Sequence, residues 1–118
     1  MSIDTLIAAA LSPLVSGRVY PDVAPDNPVL PYIVYQQVGG AGLVFQEGTL
    51  PDHEGCRIQI ATWGARRVDV TALAKLAEKA LIDAPGLQTE PMGGRVSDYE
   101  SDTKRYGARQ DFMIWAPR

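Results

Sequence analysis

Residues 56–86 read CRIQIATWGARRVDVTALAKLAEKALIDAPG. At its start Cys56, Ile58 and Ile60 alternate with Arg57, Gln59 and Ala61, the period-two pattern of a strand with one buried face, and Trp63-Gly64 closes it. From Val70 the period changes. Val70, Leu73, Ala74, Ala77, Leu81 and Ala84 recur at helical spacing, Lys75, Glu78, Lys79 and Asp83 take the other face, and Pro85-Gly86 ends the run. A strand with one apolar face that leads into a helix with one apolar stripe sets up a sheet covered by helices on a single side.

Working toward the N-terminus, Ile7, Ala10, Leu11 and Leu14 form a second apolar stripe, with Ser2 as N-cap, and predict a helix over 3–15. Gly17 supplies the stop. Arg18-Val19-Tyr20 is a short extended piece, and Pro21 to Pro31, with four prolines, is a rigid surface loop. Tyr32 to Val38 is β-branched or aromatic on both faces and predicts a strand with neighbours on each side, ended by Gly39-Gly40-Ala41-Gly42. The connection from there to Gly55 is polar except for Leu43, Val44 and Phe45. Toward the C-terminus, strands over roughly 92–100 and 106–116 are joined by the polar turn Ser101 to Arg105. The whole is a single domain over 1–118, α+β in class, with the order α-β-β-β-α-β-β. It predicts a mostly antiparallel sheet with two helices packed on one face.

Bulk properties limit the function classes. The chain has 118 residues, 46% of them hydrophobic and 21% charged, which suits one globular core. A net charge of −3 argues against binding nucleic acid through its phosphates, which takes a surplus of Lys and Arg. With a single cysteine, Cys56, there is no internal disulfide, and a buried thiol in a protein made in a reducing cytoplasm is expected. Asp4 stands where an export signal would carry a base, and no run approaches the roughly 18 to 20 apolar residues that cross a bilayer, so no membrane partner is expected.

The chemistry-bearing groups do not assemble into a site. Asp52-His53-Glu54 places three metal-ligand types side by side, but neighbours in an extended chain point to opposite faces and His53 is the only histidine. Asp98, Glu100 and Asp102 alternate like the opening of an EF-hand loop, yet Thr103 stands where glycine is required and Arg109 where a glutamate is. These carboxylates instead predict a polar sheet face or hairpin end, answered by Lys104, Arg105 and Arg109. The glycine run Gly39 to Gly42 lacks the Gly-Lys-Ser/Thr of a phosphate cradle, and Cys56 has no base with an orienting group. No enzyme activity and no cofactor are expected.

Four short signatures in order carry a resemblance. They are Gly17-Arg18-Val19-Tyr20-Pro21 after the first helix, Leu30-Pro31-Tyr32-Ile33-Val34-Tyr35, Arg57 to Trp63 leading into the second helix, and Asp102-Thr103 through Asp111-Phe112-Met113-Ile114-Trp115. Together, along nearly the whole chain, they resemble the tail-completion or tail-terminator-like proteins of tailed phages. The resemblance implies a structural subunit in the virion tail, without catalytic residues. It would complete or cap the tail tube as a ring of copies, a hexamer by the usual symmetry of tails. One ring face would meet the tail-tube protein and the other the head-side connector.

Two candidate interfaces follow from the residues. Leu43, Val44 and Phe45, on a glycine-flanked loop, gain most by burial against a neighbouring copy, unless they fold back on their own sheet. The row Asp98, Glu100 and Asp102 is suited to a subunit interface or to a channel wall that repels the phosphates of passing DNA. An alternative reading is a small protein-binding module that works as a monomer or dimer outside a virion. A small hydrolase built on Asp52, His53 and Glu54 is a further one.

Overall fold

The computed structural model describes residues 2–41 and 52–117. The N-terminal helix, α1, spans Ile3–Leu11, with Ser2 Oγ accepting from the Thr5 amide. It stops short of the expected residue 15 because Pro13 has no amide to continue the ladder, and the chain tightens into a 3-10 turn over Ser12–Leu14. Gly17, at φ +82°, then donates its amide to the Ser12 carbonyl and turns the chain into β1, Val19–Pro21.

The remaining elements are β2 (Tyr32–Ala41), β3 (His53–Gly64), α2 (Arg67–Asp83), β4 (Gln88–Glu100) and β5 (Arg105–Pro117). Among the described residues the five strands make one sheet in the order β1-β2-β3-β5-β4. Only β1 with β2 is parallel, and the other three pairings are antiparallel. Both helices lie on one face, α2 against β3, β5 and β4, and α1 against α2 beside β1. The order and the class are those the sequence predicts. Among the described residues no helix is long and apolar enough to cross a membrane.

Several boundaries differ from expectation, each for a physical reason. β2 runs through the glycines instead of ending at Val38. Its register slips between Gln37 and Gly39, and Gly40 approaches β3 so closely that a Cβ there would lie 2.4 Å from the Gly55 carbonyl. The glycines permit the pairing. His53 and Glu54, expected in a loop, belong to β3 because β5 extends to Pro117 and offers them partners. β4 likewise begins at Gln88, level with Trp115, instead of at residue 92. α2 begins three residues before Val70 and carries Arg66 Nε on Asp69 Oδ2 at 2.9 Å across its first turn.

The core lies between this helical layer and the sheet. Ile7 and Leu11 of α1, Ile33 of β2, Leu81 of α2 and Phe112 and Ile114 of β5 are all essentially without exposure. Each such burial contributes roughly 1.5–3 kcal/mol relative to exposure. Cys56 sits in the same core, 2% exposed. Tyr35 ties α1 to the sheet: its hydroxyl donates to the Asp4 carboxylate, and burial, the Asp4 charge, that hydrogen bond and the Asp22 charge push the phenol from 10.0 up to about 12.

Because the folded value lies above the unfolded one, the stabilisation from neutral Tyr35 is complete below about pH 10 and is lost as pH rises toward 12. Tyrosinate absorbance should therefore show one late-titrating tyrosine, and Asp4→Asn should bring it earlier. An unchanged titration in that variant would mean that the Asp4 contact does not hold the proton.

Glycine also fixes the central pair. Trp63 lies over its cross-strand partner Gly107, where a Cβ would come within 2.7 Å of the indole, and Trp115 lies over Gly55 at 2.8 Å. Gly107→Ala is expected to cost about 1–3 kcal/mol by overpacking, read as a lower urea midpoint. Gly94→Ala, with nothing within 4 Å, should stay within about 0.5 kcal/mol of the parent. Equal effects of the two changes would show that the indole does not constrain the strand pair.

Candidate functional site: the open sheet face and its edges

The sheet face away from the helices is built from β2, β3, β5 and β4, with unbroken alternation along β3 and β5. Registration places Tyr32, Trp63 and Gly107 together at one end and Gly55 and Trp115 at the other. Between them lie Gln59, Arg57, Asp111 and Arg109. Tyr32 is only 5% exposed although no helix covers it. Trp63 stacks on it at 6.5 Å, Tyr20 tilts against it at 6.3 Å, and Arg105 lies over its ring at 5.8 Å while donating to its hydroxyl at 3.1 Å. Aromatic rings that elsewhere can stack on bases here stack on one another.

The middle of the face is polar and internally answered. Arg57 donates through Nε to Asp111 Oδ2 at 2.9 Å, and Gln59 reaches Asp111 Oδ1 at 3.4 Å. Arg109 pairs with Asp98 at 3.6 Å.

Of the acidic row, Asp98 and Glu100 stand on this face, level with Gly107 and Arg105, whereas Asp102 lies in the turn between β4 and β5. Asp98 also accepts from the Tyr99 amide at 2.9 Å, and Glu100 accepts from the Thr103 hydroxyl. The row is interleaved with Arg105 and Arg109, so it is a mixed-charge surface. Arg105 is spent on Tyr32. Leu43, Val44 and Phe45 lie outside the described residues. His53 and Glu54 are consecutive in β3, and among the described residues no three His, Cys, Asp or Glu side chains gather as metal ligands.

Other surface features were not anticipated. Val68 and Leu76 on the outer side of α2 are 66% and 52% exposed, on the face expected to be charged. Val23 and Val29 in the loop after β1 are exposed as well. At the opposite edge β4 is exposed along almost its whole length, and it is not a plain strand. Pro91 removes one amide, and the register slips between Met92 and Val96 around Gly93 at φ +88°. Buried Gln110 bridges the slip by donating to the Gly93 carbonyl at 3.0 Å. A proline, a bulge and charged side chains are the devices by which edge strands avoid pairing with other chains. Pro91 and Gly93-Gly94 were the available signal, readable once β4 is known to start at Gln88.

A sequence model of the family described as tail completion protein gp17 matches residues 4–116. No curated protein matches the chain.

The carboxylate at the centre of the face yields a stability test. Asp111→Ala removes the acceptor of both Arg57 and Gln59 and is expected to cost about 1 kcal/mol, measured by urea unfolding. The difference should shrink in high salt, since Arg57 is 45% exposed at its side chain. A salt-independent loss would assign the effect to packing instead of charge.

Proposed function

The chain belongs to the tail completion protein gp17 family, and on that premise we propose that it is a non-enzymatic subunit that closes the end of the tail tube as a ring of identical copies. The role as a structural protein of the phage tail comes with the family. From there we infer the ring, its place between tube and head-side connector, and assembly in the host cytoplasm. The observation that carries it is the extent of the family match, 4–116, which reaches into all five strands of the sheet and both helices.

The architecture suits the role. A ring needs two unlike patches on each subunit, because head-to-tail contacts join different surfaces. The sheet has two unlike ends: a three-residue strand with a long acidic loop at β1, and a thirteen-residue bulged strand at β4. On the open face between them, aromatic and ionic side chains partner one another.

Native mass measured over a wide concentration range, with and without tail-tube protein, tests the reading, together with negative-stain images of large species. Closed rings of one size are the expected result. A monomer or dimer under all conditions, including with tail-tube ends present, would remove the ring.

A further inference from the structure

From an exposed tyrosine pair beside the start of α2 and a proline-rich loop at the far edge of the sheet, we propose that Tyr99, Tyr106 and Arg67 form a groove that takes the β1-β2 loop of a second copy. The inference rests on the ring reading and specifies its contact.

The groove lies on the helical side of the sheet, at the first turn of α2. Asp98 and Glu100 stand on the open face, so Tyr99 between them stands on the helical one, level with Tyr106 of β5. The two rings tilt against each other at 4.9 Å, and they remain 49% and 37% exposed. Arg67 and Ser97 line the same hollow. Arg67 also lines the adjoining hollow on the outside of α2, with Val68, Thr71, Ala72 and Lys75. Tyrosine and arginine around exposed aliphatic surface are the residue types that concentrate at the centres of protein interfaces.

The free charge here is positive. Asp98, the one carboxylate in either lining, is paired with Arg109 at 3.6 Å. Asp69 and Asp83 of α2 are taken by Arg66 and Lys79, and Glu78 is outside both linings. Asp102 and Lys104 in the hairpin turn are of opposite sign. Arg67 and Lys75 are left without an ion pair among the described residues.

The loop from Pro21 to Pro31 has the matching chemistry. It holds Pro21, Pro25, Pro28 and Pro31, exposes Val23 and Val29 at 75% and 63%, and presents Asp26 next to exposed Pro25. From Val19 to Ala41 there is no Lys or Arg to offset Asp22 and Asp26. Aromatic grooves take proline-rich segments by packing rings on rings and by donating hydrogen bonds to the segment's carbonyls. Tyr99 and Tyr106 supply both, since neither hydroxyl is engaged among the described residues. The loop is held at both ends, by the Asp22 amide on the Tyr35 carbonyl at 2.8 Å and by Arg18 Nε on the Pro31 carbonyl at 2.9 Å. A loop fixed in this way loses less entropy on docking.

The loop and the groove belong to opposite edges of one molecule. β1 and β4 are terminal in the order β1-β2-β3-β5-β4, four strand spacings or about 19 Å apart. Each copy can therefore give its loop to one neighbour and its groove to the other, which is the condition for a head-to-tail ring. Two loops would bring carboxylates together and two grooves would bring cations together, so like ends are disfavoured.

The experiment is a charge exchange in the full chain: wild type, Asp26→Arg, Arg67→Asp and the double variant, each followed by native mass against concentration. Both positions are exposed, so the fold is expected to persist. The assembly midpoint is expected to rise about tenfold in each single variant, roughly one lost charge contact, and to recover in the double. Unchanged single variants, or a double no better than the singles, would overturn this contact and leave the ring standing. A wild type that never assembles, even with tail-tube ends, would overturn both. Val23→Cys combined with Val68→Cys gives a readout independent of charge, with Cys56 buried and out of reach of the reagent. A short bismaleimide should convert rings into a ladder of covalently linked copies, and monomers alone from an assembled ring would overturn the contact.

Discussion

β3 and β5 run beside each other through twelve paired positions, His53 with Pro117 at one end and Gly64 with Tyr106 at the other, and the register of this pair governs everything packed around it. Because side chains alternate, a slip of one residue would carry either Ile58 and Ile60 or Phe112 and Ile114 from the helical side to solvent. It would also separate each tryptophan from its glycine. Trp63 needs Gly107, and Trp115 needs Gly55, because any Cβ at those positions would collide with the indole. The two Trp-Gly pairs, one near each end, act as steric stops against sliding in either direction. Hydrophobic burial favours the correct face, and the indoles select the correct register.

Once this pair is set, the other layers have little freedom. α2 rests on the apolar side through Leu73, Ala77 and Leu81, and α1 closes the remaining core with Ile3, Ile7 and Leu11. β2 adds to β3 with a slip at Val38 that the glycines absorb, and β1 adds to β2 in parallel. On the open side the same alternation delivers Arg57, Gln59, Arg109 and Asp111 to one surface, where they satisfy one another. Exposed ion pairs of this kind contribute at most about 1 kcal/mol each. Their effect is on the character of the face, which holds its charges in internal pairs and so does not present a field of one sign.

The parts of this fold that were legible in the sequence are those where one physical signal acts alone. Cys56 to Ala61 alternate because one face is wet, and Val70 to Ala84 recur at helical spacing because one stripe is buried. Both readings hold in space. The apolar stripe continues to Leu14, but Pro13 has no amide for the helical ladder, so the α-helix ends at Leu11. The ends of β2, β3 and β4 were misplaced because pairing, which depends on a distant partner, lengthens strands beyond their local propensity. Gly39 and Gly40 read locally as breakers and act as spacers. The acidic row was placed correctly on a strand for Asp98 and Glu100. Its neutralisation by Arg109 needed the β4-β5 register, although the hairpin sequence hinted at it. Val68 and Leu76 fall outside a two-faced reading of α2, in which one side is apolar and the other charged.

Edges have no periodic signature, and this is why β4 is the least readable strand of the sheet. A strand with an open side must either accept another strand or resist one. Unlimited acceptance would join copies side by side, across the strands, without closure, since backbone pairing discriminates little between partners. Pro91 and the bulge interrupt the row of outward amides within β4, and Asp98 occupies the Tyr99 amide near its end. A chain whose outer strand resists generic pairing is restricted to contacts chosen by side-chain shape and charge. In the proposed ring such contacts would fix the angle between neighbouring copies, which backbone pairing along an edge does not, and a fixed angle is what would allow it to close.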